Sequence, residues 1–483
     1  MRPKYLIAIL VLLALALPAS PAQAGGVVSV CDEAHLLAAL AGGGAVTFSC
    51  SGWIGLTNTI RISANTTLDG SGQTVTLSGN SAVRVFTVDP GVSFGLHGLT
   101  VAWGKDTSAL GGGAVYSSGG KLTITNSSLT DNSAAAFGGG VMIYDGALTV
   151  KDSTFSDSAT LGGGITAYNS TVTVSGSTFA GNSAVLSPQI ADGSGGAIYA
   201  EGGQLTVSNS TFVRNSATSN GGAIAADNGT VTVINSTFYR NSADNGNTLE
   251  RSGSGSMTLR NTIVANTVAA ANCAGSMTDG GGNLSYPETS CPGINRNPLL
   301  QTLNNNGGPT FTMLLGFGSP AIDAANDAIC AAPPVNNLDQ RGVKRPQGAH
   351  CDIGAVEQPP YSEPRPCTIA IRPGGDPNAI NCRNANQVIT VAILSTDAFD
   401  ATTVDHRTVT FEGAGETHVD KKTGEPRRHE EDVDGDGDTD LVLHFRLGST
   451  SLTCKSTEAT LLGQTFAGQP VSGAGPVRMV GGG

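Results

Sequence analysis

Between Gly111 and Thr267 apolar and polar positions alternate in short bursts that recur in a fixed frame. Each unit of about two dozen residues has a glycine cluster, a polar gap, an alternating stretch and a shorter apolar stretch closed by Asn-Ser or a near variant. The copies read GGGAVYSSGGKLTITNSSLTDNS from Gly111, GGGVMIYDGALTVKDSTFSDS from Gly138, GGGITAYNSTVTVSGSTFAGNS from Gly162, GGAIYAEGGQLTVSNSTFVRNS from Gly195 and GGAIAADNGTVTVINSTFYRNS from Gly221. A decayed copy ends in LRNTIVANT. Within one copy, Leu205 and Val207 alternate with Thr206, so an extended backbone turns the two apolar residues to one side and the threonine to the other. Phe212 opens a second inward stretch, and Ser208, Asn209 and Ser210 between them favour a turn because their side chains satisfy local backbone groups. No helical period separates the copies, so parallel pairing has to come from coils stacked directly on one another. The pattern predicts a solenoid in which each coil buries its apolar face only against its neighbours.

Stacked coils explain why residue types repeat at the corners. Asn132, Asn182, Asn215, Asn241 and Asn266 fall one above another in this frame, where asparagine tolerates turn conformations and forms side-chain ladders, so their expected role is structural. The sequence GGA followed by Ile or Val, then Phe-x-x-Asn (Phe179 to Asn182, Phe212 to Asn215, Phe238 to Asn241), resembles the repeat of the polymorphic outer membrane proteins. Those are bacterial surface proteins with β-helical passengers, often linked to adhesion. Ser158 replaces the asparagine in one copy and Leu129 the phenylalanine in another, and the membrane barrel in which that family ends is not expected in residues 1–483. The resemblance implies an all-β fold class: a right-handed parallel β-helix, pectin lyase-like, with the small β-sandwich argued below following it.

The flanks divide the rest. Arg2 and Lys4 precede an apolar run from Tyr5 to Leu17 and small residues ending at Ala24, which reads as a secretory signal peptide over residues 1–24. The run is shorter than the ~20 residues a membrane span needs, so no transmembrane anchor is expected. Residues 25–300 read as the capped β-helix: Asp32 caps a short helix carrying Leu36, Leu37 and Leu40 that covers the first coil, with His35 on its surface. In an oxidising compartment Cys31 is expected to pair with Cys50, Cys273 with Cys291, and Cys330 with Cys351. Residues 301–357, with NNGGPT, GSPAID, DQRG and CDIGAVE in order, resemble the closing segment of secreted bacterial β-helix proteins grouped as choice-of-anchor Q. Physically the segment reads as an end-cap held by ion pairs and turns. A proline-rich linker, 358–366, leads to residues 367–483, whose short strands at Thr368 to Arg372, Val388 to Ser395, Thr408 to Glu412, Leu441 to Arg446 and Val477 to Val480 predict the β-sandwich. Cys367, Cys382 and Cys454 give one pair and one leftover thiol there, with the pairing open.

Charge narrows the partners. The formal net charge of −12 argues against nucleic acid and anionic lipid. The sharpest chemical signal is DVDGDGDTD, where Asp432, Asp434, Asp436, Asp438 and Asp440 alternate with glycines at the spacing of a calcium loop, while Leu443 stands where a bidentate glutamate would complete an EF-hand. The expected cofactor is therefore a structural calcium. His406, His418, His429 and His444 lack the tight spacing of a zinc site and read, with Lys421, Lys422, Arg427 and Arg428, as a mixed-charge loop facing water.

Catalytic candidates are weaker. Arg214 and Arg240 occupy equivalent places in successive copies, as do Asp131 and Asp157, though the two sets need not face a common groove, and the stacked arginines could hold a sugar acid. Asp323, Asp339 and Asp352 gather charge that the coils scarcely carry. The expectation is a secreted, non-catalytic surface or matrix scaffold, adhesin-like, presenting a polar face to polysaccharide or another cell-surface component. The alternative is a lyase or hydrolase of acidic polysaccharide, and a further possibility is that the tail holds the rod to the producing cell.

Overall fold

A computed structural model describes residues 25–161, 163–185, 193–359, 364–374, 379–396 and 398–481. The expected signal peptide and the middle of the linker lie outside the described residues. Each regular coil contributes one strand to each of three parallel sheets of nine, eleven and eleven strands. In one coil these strands are Val141–Tyr144, Ala147–Lys151 and Thr154–Ser156. Register is kept from coil to coil, so that Leu122, Leu148, Val172, Leu205 and Val231 form one inward column. A short fourth sheet of five strands, beginning at Lys105–Asp106, runs beside them.

The inward columns build the core. Phe155, Phe179, Phe212 and Phe238 are fully buried and stack with ring centroids 4.9, 4.7 and 4.7 Å apart. Burying each such side chain is worth about 1.5–3 kcal/mol, and each ring contact about 0.5–1.5 kcal/mol more. Beside this stack runs the asparagine ladder. Asn182 Nδ2 donates to Phe155 O at 2.9 Å and to Asn215 Oδ1 at 2.9 Å, while Asn215 Nδ2 repeats the pattern on Phe179 O and Asn241 Oδ1. Ser158 interrupts the ladder, because its hydroxyl turns to Ser156 O within its own coil.

The helix Glu33–Leu40 covers the first coil, capped by the Asp32 side chain, with Leu36 buried and Leu37 exposed. It sits between two paired strands, since Val27–Val28 lies beside Gly44–Phe48. Cys31 pairs with Cys50, Cys273 with Cys291, Cys330 with Cys351, and Cys382 with Cys454, leaving Cys367 as the free thiol.

Residues 301–357 correct the end-cap expectation. They run back along one outer face of the solenoid: Thr310 Oγ1 donates to Gly176 O, Thr211 Oγ1 to Gln340 Oε1, and the Ala355 N–H to Thr237 Oγ1. Ile263 and Ala265, which point outward from their coil, are buried there with Leu315, Ala321 and Ile353 in a second small core.

The tail has a five-stranded and a four-stranded sheet around a shared apolar core, with a two-stranded pair beside them. Two of its longest strands, Glu458–Gln464 and the glycine-containing Pro470–Pro476, lie where the sequence pattern predicts no strand. Gly473 explains the composition: a Cβ would lie 2.5 Å from Ile369 Cγ2 and 2.9 Å from Cys367 O, so glycine lets the two sheets close.

The asparagine ladder gives a stability prediction. Asn215→Ala strands the buried Asn182 N–H and the Phe179 carbonyl, and should destabilise the rod by roughly 1–3 kcal/mol in denaturant unfolding. An exposed-face control such as Thr206→Ala should stay within about 0.5 kcal/mol.

Candidate functional site

The corner after the third strand of each coil carries the outward chemistry. Strand register places Trp103, Asp131, Asp157, Gly181, Arg214 and Arg240 in one column, each N–H bonded to the coil that follows. All six adopt left-handed backbone, with φ between 49° and 67°. Glycine takes this conformation freely and aspartate tolerates it, whereas arginine and tryptophan pay about 1–2 kcal/mol each. The two acidic and the two basic residues, which the sequence left as separate sets, therefore lie along a single edge with one glycine between them. A Cβ at Gly181 would come within 2.7 Å of Asp157 Oδ1, so the carboxylate leans across the glycine towards the arginines. Crowding against the coil and the neighbouring Asp131 push the carboxyl of Asp157 above the usual range.

Two features at this edge were not read from the sequence. Trp53 and Trp103, the chain's two tryptophans, stack with ring centroids 4.6 Å apart, and Trp53 remains 49% exposed. They stand far apart in the chain, and register pairs Trp53 with Thr76 and through it with Thr100, so a coil-by-coil alignment does not join the two. The second feature is a carboxylate from the tail: Glu425 lies 3.5 Å from Arg214 and 3.9 Å from Arg240. Arg240 also lies over the Tyr239 ring at 5.2 Å, and its Nε is buried without a hydrogen-bond partner.

A different face carries a row of threonines. Thr123, Thr149, Thr173, Thr206, Thr232 and Thr258 are consecutive partners along the outer side of one sheet. Gly95 breaks the row's approach from Thr67, opening a shallow trough of about 450 Å³ that His97 and Lys121 flank.

Asp323, Asp339 and Asp352 do not form an open site. Asp339 is buried and bound by Arg341 at 2.8 Å and by the N–H groups of Arg341, Val343 and Glu357. Arg345 and Glu357, both fully buried, pair at 3.2 Å. Asp352 accepts from the Asp323 and Gln358 N–H groups, and Asp323 accepts from that of His350. This knot of charge fastens the closing segment to itself. Burial, with the Glu357 carboxylate beside it, pushes the carboxyl of Asp352 up to about 7.

In the tail, Asp432, Asp434 and Asp440 bring one carboxylate oxygen each within 4.8 Å of one another, while Asp436 and Asp438 stay outside the group. Asp440 is buried and accepts from Ser395 N and Val433 N; Asp432 accepts from Gly435 N and Gly437 N. Partial desolvation and the neighbouring Asp436 and Asp440 raise the carboxyl of Asp434. Three converging hard oxygen ligands fit a calcium ion. The histidines depart from expectation: His418, His429 and His444 gather, one ring nitrogen of each within 4.8 Å of the others, and His406 stands apart from that group.

Residues 54–286 match the family model described as right handed beta helix region. The rod is a right-handed β-helix. No match to the chain is found among curated proteins. The right-handed β-helix fold serves both polysaccharide-acting enzymes and adhesin-like proteins, so the edge of this β-helix, and not its fold, has to carry the functional argument.

The charge knot along the β-helix gives a pH prediction. A carboxyl whose folded pKa is raised keeps a proton that the unfolded chain has lost, so its contribution is complete below about 4 and is lost as pH rises through about 7. The thermal midpoint should fall over that window, with Asp352→Asn reducing the slope. The exposed His350–Asp327 pair acts in the same direction near neutrality and remains in that variant.

Proposed function

We propose that the protein is a secreted, non-catalytic scaffold whose β-helix edge binds acidic glycans of a cell surface or matrix. The observation that carries this reading is the single edge on which Trp103, two aspartates, a glycine and two arginines follow one another at the ~4.8 Å spacing of stacked strands, with Trp53 stacked on Trp103 from an earlier coil. Sugar rings present apolar faces that suit an exposed indole, and a uronate or sulfate suits paired guanidinium groups. The arginines support a binding role because they set like charges on adjacent coils and leave the Arg214 side chain 62% exposed, while their left-handed backbone is the ordinary conformation of this corner. Glu425 then acts as an internal competitor for the arginines.

Four disulfides fit an oxidising, extracellular setting. Among the described residues no helix is long and apolar enough to cross a membrane. The resemblances of the repeats to polymorphic outer membrane proteins and of residues 301–357 to choice-of-anchor Q proteins support a place on or near a bacterial surface. Calcium at Asp432, Asp434 and Asp440 would stiffen the sandwich.

The second reading is a hydrolase or lyase of acidic polysaccharide, favoured by Asp131 and Asp157 on adjacent coils with Asp157 raised above its usual range. Incubating the mature protein with acidic and neutral polysaccharides, following both retention and chain cleavage, separates the two. Retention without cleavage is expected, weakened about tenfold or more by joint Arg214→Ala and Arg240→Ala, weakened by added salt, and strengthened by Glu425→Ala. Cleavage lost in Asp157→Asn would establish the enzyme instead.

Calcium at one hundred times its dissociation constant should stabilise the tail by about 2.7 kcal/mol, read as a rise in its unfolding midpoint. Asp434→Asn should remove most of that rise. An unchanged midpoint in the native chain would exclude the cation.

A further inference from the structure

We propose that His418, His429 and His444 form a binding site for a borderline divalent transition-metal ion, zinc being the expected occupant, at the base of the arm that carries Glu425. This proposal is independent of the glycan reading and of the calcium loop. The three imidazoles come from separate places: His418 follows the strand Ala414–Gly415, His429 opens His429–Glu431, and His444 lies in Asp440–Arg446. Antiparallel pairing sets His429 opposite Val442, and His444, two residues further on, projects from the same face. The rings of His418 and His429 stack at 4.6 Å, with that of His444 edge-on to both at 5.9 and 5.5 Å.

One ring nitrogen of each histidine already converges, and an ion would replace the one hydrogen bond between them. His418 Nδ1 and His429 Nε2 face each other at 2.8 Å, so only one of them carries a proton between them. His444 Nδ1 is buried without a partner, 3.9 Å from Glu416 Oε1. Nitrogens bound to one tetrahedral zinc at about 2.0–2.1 Å lie about 3.3–3.4 Å apart. The present separations, from 2.8 Å to at most 4.8 Å, bracket that value, so side-chain adjustments of an ångström or so reach it. Imidazole nitrogen suits zinc, nickel or copper and not calcium.

The surroundings are built to hold the ligands. Glu416 has a fully buried side chain, and its two oxygens accept from the backbone N–H groups of His418 and His444, both at 2.7 Å. One carboxylate thus pins two of the three ligand residues, and a shift of His444 Nδ1 towards it would complete a carboxylate–histidine pair and leave Nε2 for the ion. Thr417 adds two bonds, from its N–H and hydroxyl, to His444 O. His418 is exposed, so the fourth coordination position opens to solvent. The ion would tie together both ends of the excursion from Glu416 to His429, whose far side presents Glu425 to Arg214 and Arg240.

The test uses the full mature chain, stripped with chelator and held in excess calcium, titrated with zinc chloride by calorimetry and by NMR of the histidine ring nitrogens. One equivalent of zinc is expected, moving the ring signals of three of the seven histidines together. His429→Gln and His444→Gln should each weaken binding more than about tenfold, and Glu416→Gln by roughly 10–100-fold with the stoichiometry kept. Absence of stoichiometric binding, ring shifts confined to His35, His97, His350 or His406, or undiminished affinity in both histidine variants would each overturn the proposal. The ring shifts are read on the unaltered chain, so the outcome stands even where a variant does not fold.

Discussion

Parallel stacking in register governs this molecule, because it gives nearly every residue in the rod its own counterpart as a neighbour at about 4.8 Å. Residues that pair well with themselves are favoured under that condition. Phenylalanine stacks on phenylalanine, and asparagine, with a donor and an acceptor on one amide, bonds both its successor and a carbonyl of the coil before. Charged residues pair badly with their own kind, which explains why the coils carry so few. Where like charges do stack, as at Asp131 with Asp157 and Arg214 with Arg240, the arrangement opposes the logic of the rest and marks the edge as a place with another purpose.

The same constraint leaves faces that need covering. Outward apolar residues such as Ile263 and Ala265 lie beneath the closing segment, whose buried ion pairs, Asp339 with Arg341 and Arg345 with Glu357, hold its turns against one another. A segment with little regular secondary structure has few backbone ladders to satisfy its polar groups, and carboxylates accepting several N–H groups do that work here. The tail adds a further layer, reaching the rod through Glu425 and the closing segment through a Gln464–Gln301 contact. The free edge thus meets a carboxylate belonging to the protein, and any acidic ligand there has to displace it.

Repetition made the rod, its inward columns and the asparagine ladder as far as Asn241 readable from the sequence, since a fixed period turns neighbours in space into positions in an alignment, whereas three of the disulfide pairs were legible from short cysteine spacings outside the repeats. The acidic loop was equally plain as a motif, although only three of its five aspartates converge. The strands Glu458–Gln464 and Pro470–Pro476 escaped the pattern, and Gly473 serves close sheet packing there. The closing segment's ordered motifs were visible, but its path along the side of the rod depends on contacts separated by more than a hundred residues.

Sequence alone determined the fold of the coils, because a local pattern repeated at fixed spacing leaves one way to bury its apolar side. Tertiary structure decided the chemistry. The tryptophan pair, the Glu425 contact with two arginines and the cluster of three histidines each join residues that no local period relates. Side chains meet there because strands from distant parts of the chain bring their backbones together, and nothing in the spacing of the residues records that approach.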